Sequence, residues 1–537
     1  MKQIIPVISL LHESAATNSA TRLFRDEPVL RWTLRRLGRV AGLASAKIVC
    51  WEDQSAAVDI ARQVGSLATE LSIPGPRRSV PEIDEVSAAS RWSDGWRGGL
   101  LGTCAFDRGF HGPWLNELAR SAAADGLLLI DPAAALIDPA LITGLLDHAA
   151  GLPDLDLCFS QATPGLNGVL LSTTLLSKLA TGRMYPGIML TYRPDTPQHD
   201  PIADPACVPI PVPLARTSRR FSLDSQRQID QLSAATAHLN GELIGTDAMG
   251  LLAAVDAHAN AQIDRSVPRE LVMELNTDRA TVPIYWPGRR LSIARPPMTL
   301  ERAKDIFRAL AEFDDARLVL AGVGDPMLHP QVLEIIQAAR DSSIAAITLE
   351  TDFVDVPSER IAPLIESGVD IVSVHLPAAR AATYAAVMGR DAFAEAVGNI
   401  RAFIELRGLR GAPLLVPTFV KCRQNQGEME IWYDHWLRTL RAAVVRGPSD
   451  FAGLIEDVSP ADMAGPRRRP CASLDRRLMV QSDGQFVSCE QDVLSRQSLG
   501  STLEEASLAL AAMRRDHRAG QWDKHPACAQ CKQWHRL

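Results

Sequence analysis

The sequence predicts an α/β protein built in three blocks, and three observations carry that expectation. Strand-length apolar runs alternate with stretches of helical periodicity. The alternation restarts after a helix that stops before Pro268. The tail is basic where the rest of the chain is acidic, and it gathers four of the nine cysteines. At about 150 residues per domain, 537 residues allow three or four domains. A content of 46% apolar and 22% charged residues excludes a disordered, collagen-like or coiled-coil chain. The net charge of −7 gives no reason to expect nucleic acid. Nine cysteines in this length are too sparse for a secreted disulfide scaffold.

The first block, residues 1–245, opens on the apolar run Ile4-Ile5-Pro6-Val7-Ile8 and a polar loop. A segment with apolar residues at helical spacing follows, from Val29 to Leu37. Strand-like runs come at 46–50 and at 126–130, the latter ending at Asp131. Such alternation argues for a sheet with ligand loops at strand ends. Residues 195–213, crowded with prolines and polar residues, read as an irregular excursion. The run 4–11 is too short to span a membrane, is followed by His12 and Glu13, and carries no small-residue cleavage site. The expectation is a soluble, reducing, cytoplasmic protein with no membrane partner.

Residues 246–268 read as a helical connector. From 269 the strand candidates are 270–276, 317–321, 344–350, 370–375 and 414–421. Helical stretches lie between them at 300–313, 330–339, 358–367, 392–404 and 427–440. Roughly 30 residues per β/α unit predicts a parallel barrel or partial barrel over 269–461.

The last block, 462–537, holds Cys471, Gly484, Cys489, Cys528 and Cys531. Thiolates suit soft metal centres, so four of them predict an iron–sulfur cluster or a structural zinc. Four buried reduced cysteines are the bland alternative. Asp483-Gly484 between strand-like 477–481 and 486–488 predicts a hairpin that brings Cys471 and Cys489 to one end. Spacing alone slightly favours zinc. The order Cys, Gly, Cys, then CxxC resembles the SPASM/twitch extension of radical S-adenosylmethionine (SAM) enzymes. The flanking Ser498-Leu499-Gly500-Ser501-Thr502-Leu503 and His525-Pro526-Ala527-Cys528 share that resemblance. It implies one [4Fe–4S] cluster on Cys471, Cys489, Cys528 and Cys531, as in the short, twitch form.

The barrel segment resembles a radical SAM barrel. Gly322-Val323-Gly324-Asp325-Pro326-Met327-Leu328-His329-Pro330 is similar to the family's glycine-rich loop, which implies that Gly322, Gly324 and Asp325 lie at the SAM amino group. The segment 370–375, Tyr384, Met388-Gly389, Phe393 and Asn399-Ile400 are similar to its fourth strand and following helices. Thr418, Cys422, Glu428 and Glu430 fit as well. The departure is at the first strand. After Glu274-Leu275-Asn276 the family places a CxxxCxxC loop for the reducing cluster. Here Arg279, Pro283 and Trp286 stand in those places, and no cysteine lies between 208 and 421. Reductive SAM cleavage is therefore not expected, and whether SAM binds stays open. The candidate lining of the barrel mouth is Asn276, Gly322, Gly324, Asp325, Thr351 and His375. Turn-glycine, core-histidine and helix-capping readings stand beside the ligand reading for these residues.

The first block resembles sugar-activating cytidylyltransferases, on Thr21-Arg22-Leu23 and Pro28-Val29-Leu30-Arg31-Trp32-Thr33-Leu34. That family's triphosphate loop uses backbone N–H groups and cations. Residues 13–22 contain neither glycine nor lysine, and keep Arg22 with Arg25 nearby. Leu136-Ile137-Asp138 is similar to the segment after the family's metal-binding Asp. That Asp would fall near Ala133, with Asp131 two residues early, and Asp224 is similar to the second metal Asp. The stretch Trp92-Ser93-Asp94-Gly95-Trp96-Arg97-Gly98-Gly99 reads either as a pocket or lid, or as a packed aromatic turn. Together these imply a nucleotidyltransferase-like α/β domain, a partial (β/α) barrel of radical SAM type and a small iron–sulfur domain, the spiro-SPASM arrangement. The expected function is an iron–sulfur binding or electron-transfer accessory, with an active radical SAM or redox protein as partner and a small-molecule or nucleotide ligand. A cytidylyltransferase-like enzyme is the alternative.

Overall fold

A computed structural model describes residues 3–63, 67–195, 200–261 and 267–536. Residues 196–199 of the expected irregular excursion and 262–266 of the expected connector lie outside the described residues. The chain divides into two compact units, Met1–Ala261 and Gln262–Leu537.

The first unit is a seven-stranded sheet. Its strands are β1 (Ile4–Ser9), β2 (Ser45–Val49), β3 (Ala68–Ser72), β4 (Gly126–Ile130), β5 (Leu157–Ser160), β6 (Val169–Ser172) and β7 (Cys207–Val208). The order is β3-β2-β1-β4-β6-β5-β7. Strands β1 to β4 pair in parallel, and β6 runs antiparallel between β4 and β5. Every residue of β4 is buried, as a central strand covered on both faces requires, and its sequence is accordingly an unbroken apolar run. The helix Val29–Leu37 buries Val29, Leu30, Leu34 and Leu37. Its buried Arg36 donates to the carbonyls of Ile137, Leu243 and Thr246. The helix expected as part of a connector, Ala248–Ala261, packs Ala248, Leu251 and Leu252 among Phe221, Leu223 and Leu232 of this unit.

The second unit carries an eight-stranded sheet. Its strands are β8 (Glu270–Met273), β9 (Arg317–Leu320), β10 (Ala346–Thr351), β11 (Ile371–His375), β12 (Leu414–Val420), β13 (Val444–Arg446), β14 (Arg477–Val480) and β15 (Phe486–Val487). Strands β8 to β13 follow chain order and all pair in parallel, with helices in the crossovers. The order β13-β12-β11-β10-β9-β8-β14-β15 has two ends, so the sheet is open, a partial β/α barrel. The hairpin expected around Asp483-Gly484 forms between β14 and β15. Gly484 takes φ +87°, and its N–H donates to Gln481 O at 2.8 Å. Strand β14 adds in parallel to β8, Glu270 facing Arg477 in register. The tail thus extends the barrel's sheet, and both belong to one compact unit.

Candidate functional site

Cys471, Cys489, Cys528 and Cys531 come from the approach to β14, the exit of β15 and the helix Pro526–Gln530. Residues 60 positions apart in sequence thus line a single cavity of about 610 Å³. All four are reduced. Burial pushes the Cys528 thiol up to about 12, with Cys471 and Cys531 adding to the rise. Cys489 is driven well above the ordinary thiol range by burial and then by the three other cysteines, and Cys531 is raised by burial, with Cys471 adding and the Gln533 N–H opposing. Four thiols lining one cavity are a donor set whose anionic form needs a cation among them. No group of three or more His, Cys, Asp or Glu side chains among the described residues is placed to grip a metal ion directly. The four cysteines line one cavity instead. Arg468 borders the same cavity, donates to the carbonyl of Cys528 at 2.6 Å and stacks on Trp522 at 4.9 Å. The N–H of Gln533 donates to Cys531 Sγ at 3.2 Å.

The opposite wall is the carboxyl end of the barrel strands, with Trp286, Glu350, His375 and Arg446. His375 ends β11. It lies between Asp352, 3.3 Å from Nδ1, and Glu350, 3.5 Å from Nε2. Glu350 also takes Arg446 at 2.7 Å, and Asp352 takes Arg279 at 3.5 Å and the Thr281 hydroxyl at 2.5 Å. The result is a row of alternating charge, Arg279, Asp352, His375, Glu350, Arg446. Burial opposes charge on His375, yet the two carboxylates outweigh it and hold its proton above the usual histidine range. Burial likewise opposes charge on Glu350, where Arg446 and His375 prevail, and on Asp352, where Arg279 and His375 do; both stay below the usual carboxylate range.

Arg279 and Trp286, two of the three residues expected in place of cluster cysteines, meet beside this network. Arg279 is 4% exposed and its guanidinium lies 4.7 Å from the Trp286 ring centroid. Trp286 is fixed by its indole N–H to Val323 O at 2.9 Å and by edge contact with Phe451. An ion pair and a stacked aromatic therefore fill this corner with protein.

Gly322, Gly324 and Asp325 are tied inward. A Cβ on Gly322, at φ +145°, would meet Glu274 Cγ at 2.6 Å, and one on Gly324 would collide with Asn276 Oδ1. Glu274 is itself buried, taking both Arg295 nitrogens and the N–H groups of Val323 and Ser482. Asp325 accepts from Met327 N–H, the Thr351 hydroxyl and Asp352 N–H, and burial with the nearby Asp352 carboxylate raises it to about 6. Of the six residues expected at the barrel mouth, His375 lines the 610 Å³ cavity, whereas Asn276, Gly322, Gly324, Asp325 and Thr351 do not.

In the first unit the loop 13–22 satisfies itself. Glu13 accepts from the Ser19 N–H and hydroxyl, and Asn18 bonds Ser14, Ala15 and Ala20. Arg25 reaches Thr236, a packing contact. The guanidinium of Arg108 meets Asp224 at 2.6 Å and Asp131 at 3.8 Å through the same nitrogen. The stretch around Trp96 packs that ring on Phe159 at 5.8 Å, with Arg97 over its face at 5.1 Å, as an aromatic turn would.

The sequence reading missed Arg108, Glu350, Arg446, Arg477 and Glu490. Arg477 joins Glu270 on β8 to Glu490 just after Cys489. A CxxC draws attention by itself, whereas single arginines such as Arg108, Arg446 and Arg477 carry no motif.

No family model matches the chain. It is 22% identical to an uncharacterized protein of Treponema pallidum over 307 residues, 55% of this chain and 83% of the relative. Among solved structures it is similar to BtrN in complex with AdoMet and 2-DOIA, at 14% identity and TM-score 0.33, over 50% of this chain and 93% of that one. It is also similar to Streptococcus suis SuiB bound to S-adenosylmethionine, at 14% and 0.39, over 57% and 82%. A cytidylyltransferase of Leptospira borgpetersenii matches at 11% and 0.33, over 49% and 98%.

Proposed function

We propose that this chain is an iron–sulfur accessory protein whose barrel no longer cleaves SAM, serving a biosynthetic or modification pathway as a binding or electron-transfer component. One observation carries the reading: four cysteines from three segments line a common cavity. Cys471, Cys489, Cys528 and Cys531 would hold one [4Fe–4S] cluster. A fully cysteine-ligated cluster supplies one-electron transfer or structural cross-linking. A single tetrahedral zinc needs sulfurs within about 4 Å of one another, given Zn–S bonds of about 2.3 Å. Thiols arranged round a cavity favour the larger inorganic core.

Around the cysteines the protein's own groups keep water and charge in order. Arg468 holds the Cys528 carbonyl, and Arg477 holds Glu490 beside Cys489. On the barrel side Arg279 and Trp286 fill the place of a second cluster, which supports the non-cleaving reading. A small-molecule ligand and a radical SAM or redox partner belong to this proposal, as does a cytoplasmic location; no helix among the described residues is long and apolar enough to cross a membrane.

Anaerobic purification followed by iron and sulfide analysis tests the reading. The expected protein is brown, carries about four irons per chain, and releases no 5′-deoxyadenosine from SAM under reducing conditions. A colourless protein with one zinc, or SAM cleavage by the purified chain, would overturn it.

A further inference from the structure

Asp131 and Asp224 meet at the carboxyl ends of the first unit's parallel strands, where open α/β sheets bind ligands. Asp131 follows β4 directly, and its Oδ1 accepts from Ala133 N–H at 2.8 Å. Asp224 belongs to the loop before the helix Gln226–Ala235. Two carboxylates so placed, with side chains 14% and 21% exposed, need a positive charge between them. Arg108 supplies it. One terminal nitrogen lies 2.6 Å from Asp224 and 3.8 Å from Asp131, and Arg220 pairs with the same Asp224 oxygen.

Arg108 is fixed from both sides. Before it, the buried Asp107 accepts the N–H groups of Cys104 and Gly187 at 2.7 and 2.8 Å. After it, Gly109 takes φ +67° and crosses the end of β1 closely enough that a Cβ would meet Ser9 O at 2.9 Å and His12 Nδ1 at 2.8 Å. The Ser9 hydroxyl donates to Gly109 O at 2.7 Å. The two cavities that Arg108 borders hold about 20 and 10 Å³. That is room for a water in the larger, and not for a nucleotide.

We infer that Arg108 is a built-in cation standing where two strand-end carboxylates would otherwise hold a divalent metal, so that the first unit does not carry out metal-dependent nucleotidyl transfer. A guanidinium cannot be deprotonated at working pH and cannot act as a Lewis acid with exchangeable ligands. It neutralises the carboxylates and leaves no open coordination position. The inference concerns the first unit alone and stands whether or not the cysteines hold a cluster.

The test is a Mn²⁺ titration of the full-length protein, read from the electron paramagnetic resonance signal of free Mn²⁺. The wild-type chain is expected to leave Mn²⁺ free at sub-millimolar concentration, and to release no pyrophosphate from CTP with Mg²⁺. Arg108→Ala, with Arg220→Ala added, is expected to gain one Mn²⁺ site, at least about tenfold tighter, because repulsion of the dication by fixed charges within roughly 4 Å is gone. Asp224→Asn in that background should abolish the site. Uptake of one Mn²⁺ by the wild type that is lost in Asp224→Asn would overturn the inference, as would CTP-dependent pyrophosphate release lost in the same variant. So would a folded double variant, by circular dichroism, that gains no Mn²⁺. Should the double variant fail to fold, the wild-type titration and pyrophosphate assay decide alone.

Discussion

At the scale of single residues, the barrel mouth is governed by charges that have been taken out of water and must be paired. Asp352 is fully buried, and Arg279 is its fixed positive partner. Removing one member of such a pair leaves a buried charge without compensation, at a cost of about 3–5 kcal/mol. Arg279→Ala is therefore expected to lower the urea midpoint strongly, while Arg279→Lys should recover part of the loss. A loss under about 1 kcal/mol would mean that His375 and Thr281 suffice for Asp352. Gly322 is constrained differently. At φ +145° with Glu274 Cγ at 2.6 Å from an added Cβ, Gly322→Ala must displace a carboxylate that holds four donors. Overpacking of this kind costs about 1–3 kcal/mol, measurable in the same denaturation series. His375 adds a pH dependence whose sign follows from its partners. Burial works against its charge, but Asp352 and Glu350 raise its folded value above the unfolded one near 6.5. Its stabilising contribution is then whole below about pH 6.5 and is lost as the pH rises through the folded value. The difference in urea midpoint between wild type and His375→Gln should shrink steadily from pH 6 to pH 9; a difference that grows over that range would contradict the assigned pairing.

At the scale of elements, the hairpin β14–β15 links sheet and cysteines. Strand β14 pairs with β8, Arg477 clasps Glu270 across that pairing and Glu490 beyond the hairpin, and Cys489 lies between. Gly484 makes the turn possible at φ +87°, where any side chain is strained and a Cβ would approach Arg302 Nε to 2.9 Å. Gly484→Val is expected to cost about 1–2 kcal/mol and to lower the iron retained per chain although all four cysteines remain. Iron analysis beside a melting curve checks it, and full iron content in a destabilised variant would separate the hairpin from the centre. This element was legible in the sequence because Asp-Gly between two apolar runs has a specific backbone meaning. Five parallel strands of the second unit were legible for a related reason: strands covered on both faces are unbroken apolar runs. Among the strands that went unread, β3 and β13 lie at sheet edges and are only partly buried, and β7 has two residues, so burial leaves little pattern in them; β5 and β6 are fully buried, each a run of only four residues. The site divides the same way. Cysteine spacing announced four residues, whereas Arg108, Asp131 and Asp224 are joined only by topology. Asp131 was discounted for standing two residues off a family position, although its place immediately after β4 was the better guide.

At the scale of the whole molecule, the two units repeat one physical solution. In each, carboxylates gathered at the ends of parallel strands are neutralised by a buried guanidinium, Arg108 for Asp131 and Asp224, Arg279 for Asp352. These are places where an inorganic centre would be expected from the resemblances. A fixed cation gives a folded, charge-balanced strand end and no exchangeable coordination site. The cores of the units share no residue: one is built around Ile8, Ile48 and Leu128 with Phe221 and Leu251, the other around Leu271, Leu320 and Val372 with Leu478. Separate cores predict separate unfolding. Calorimetry of the full chain is expected to give two transitions. Changing Cys489 and Cys528 together to serine should lower only the transition of the second unit, since a bound centre stabilises the fold that holds it. Changing Arg108 to alanine should lower only the other transition. A single transition moved by both changes would show that the units unfold as one, and separate unfolding would then have to be given up.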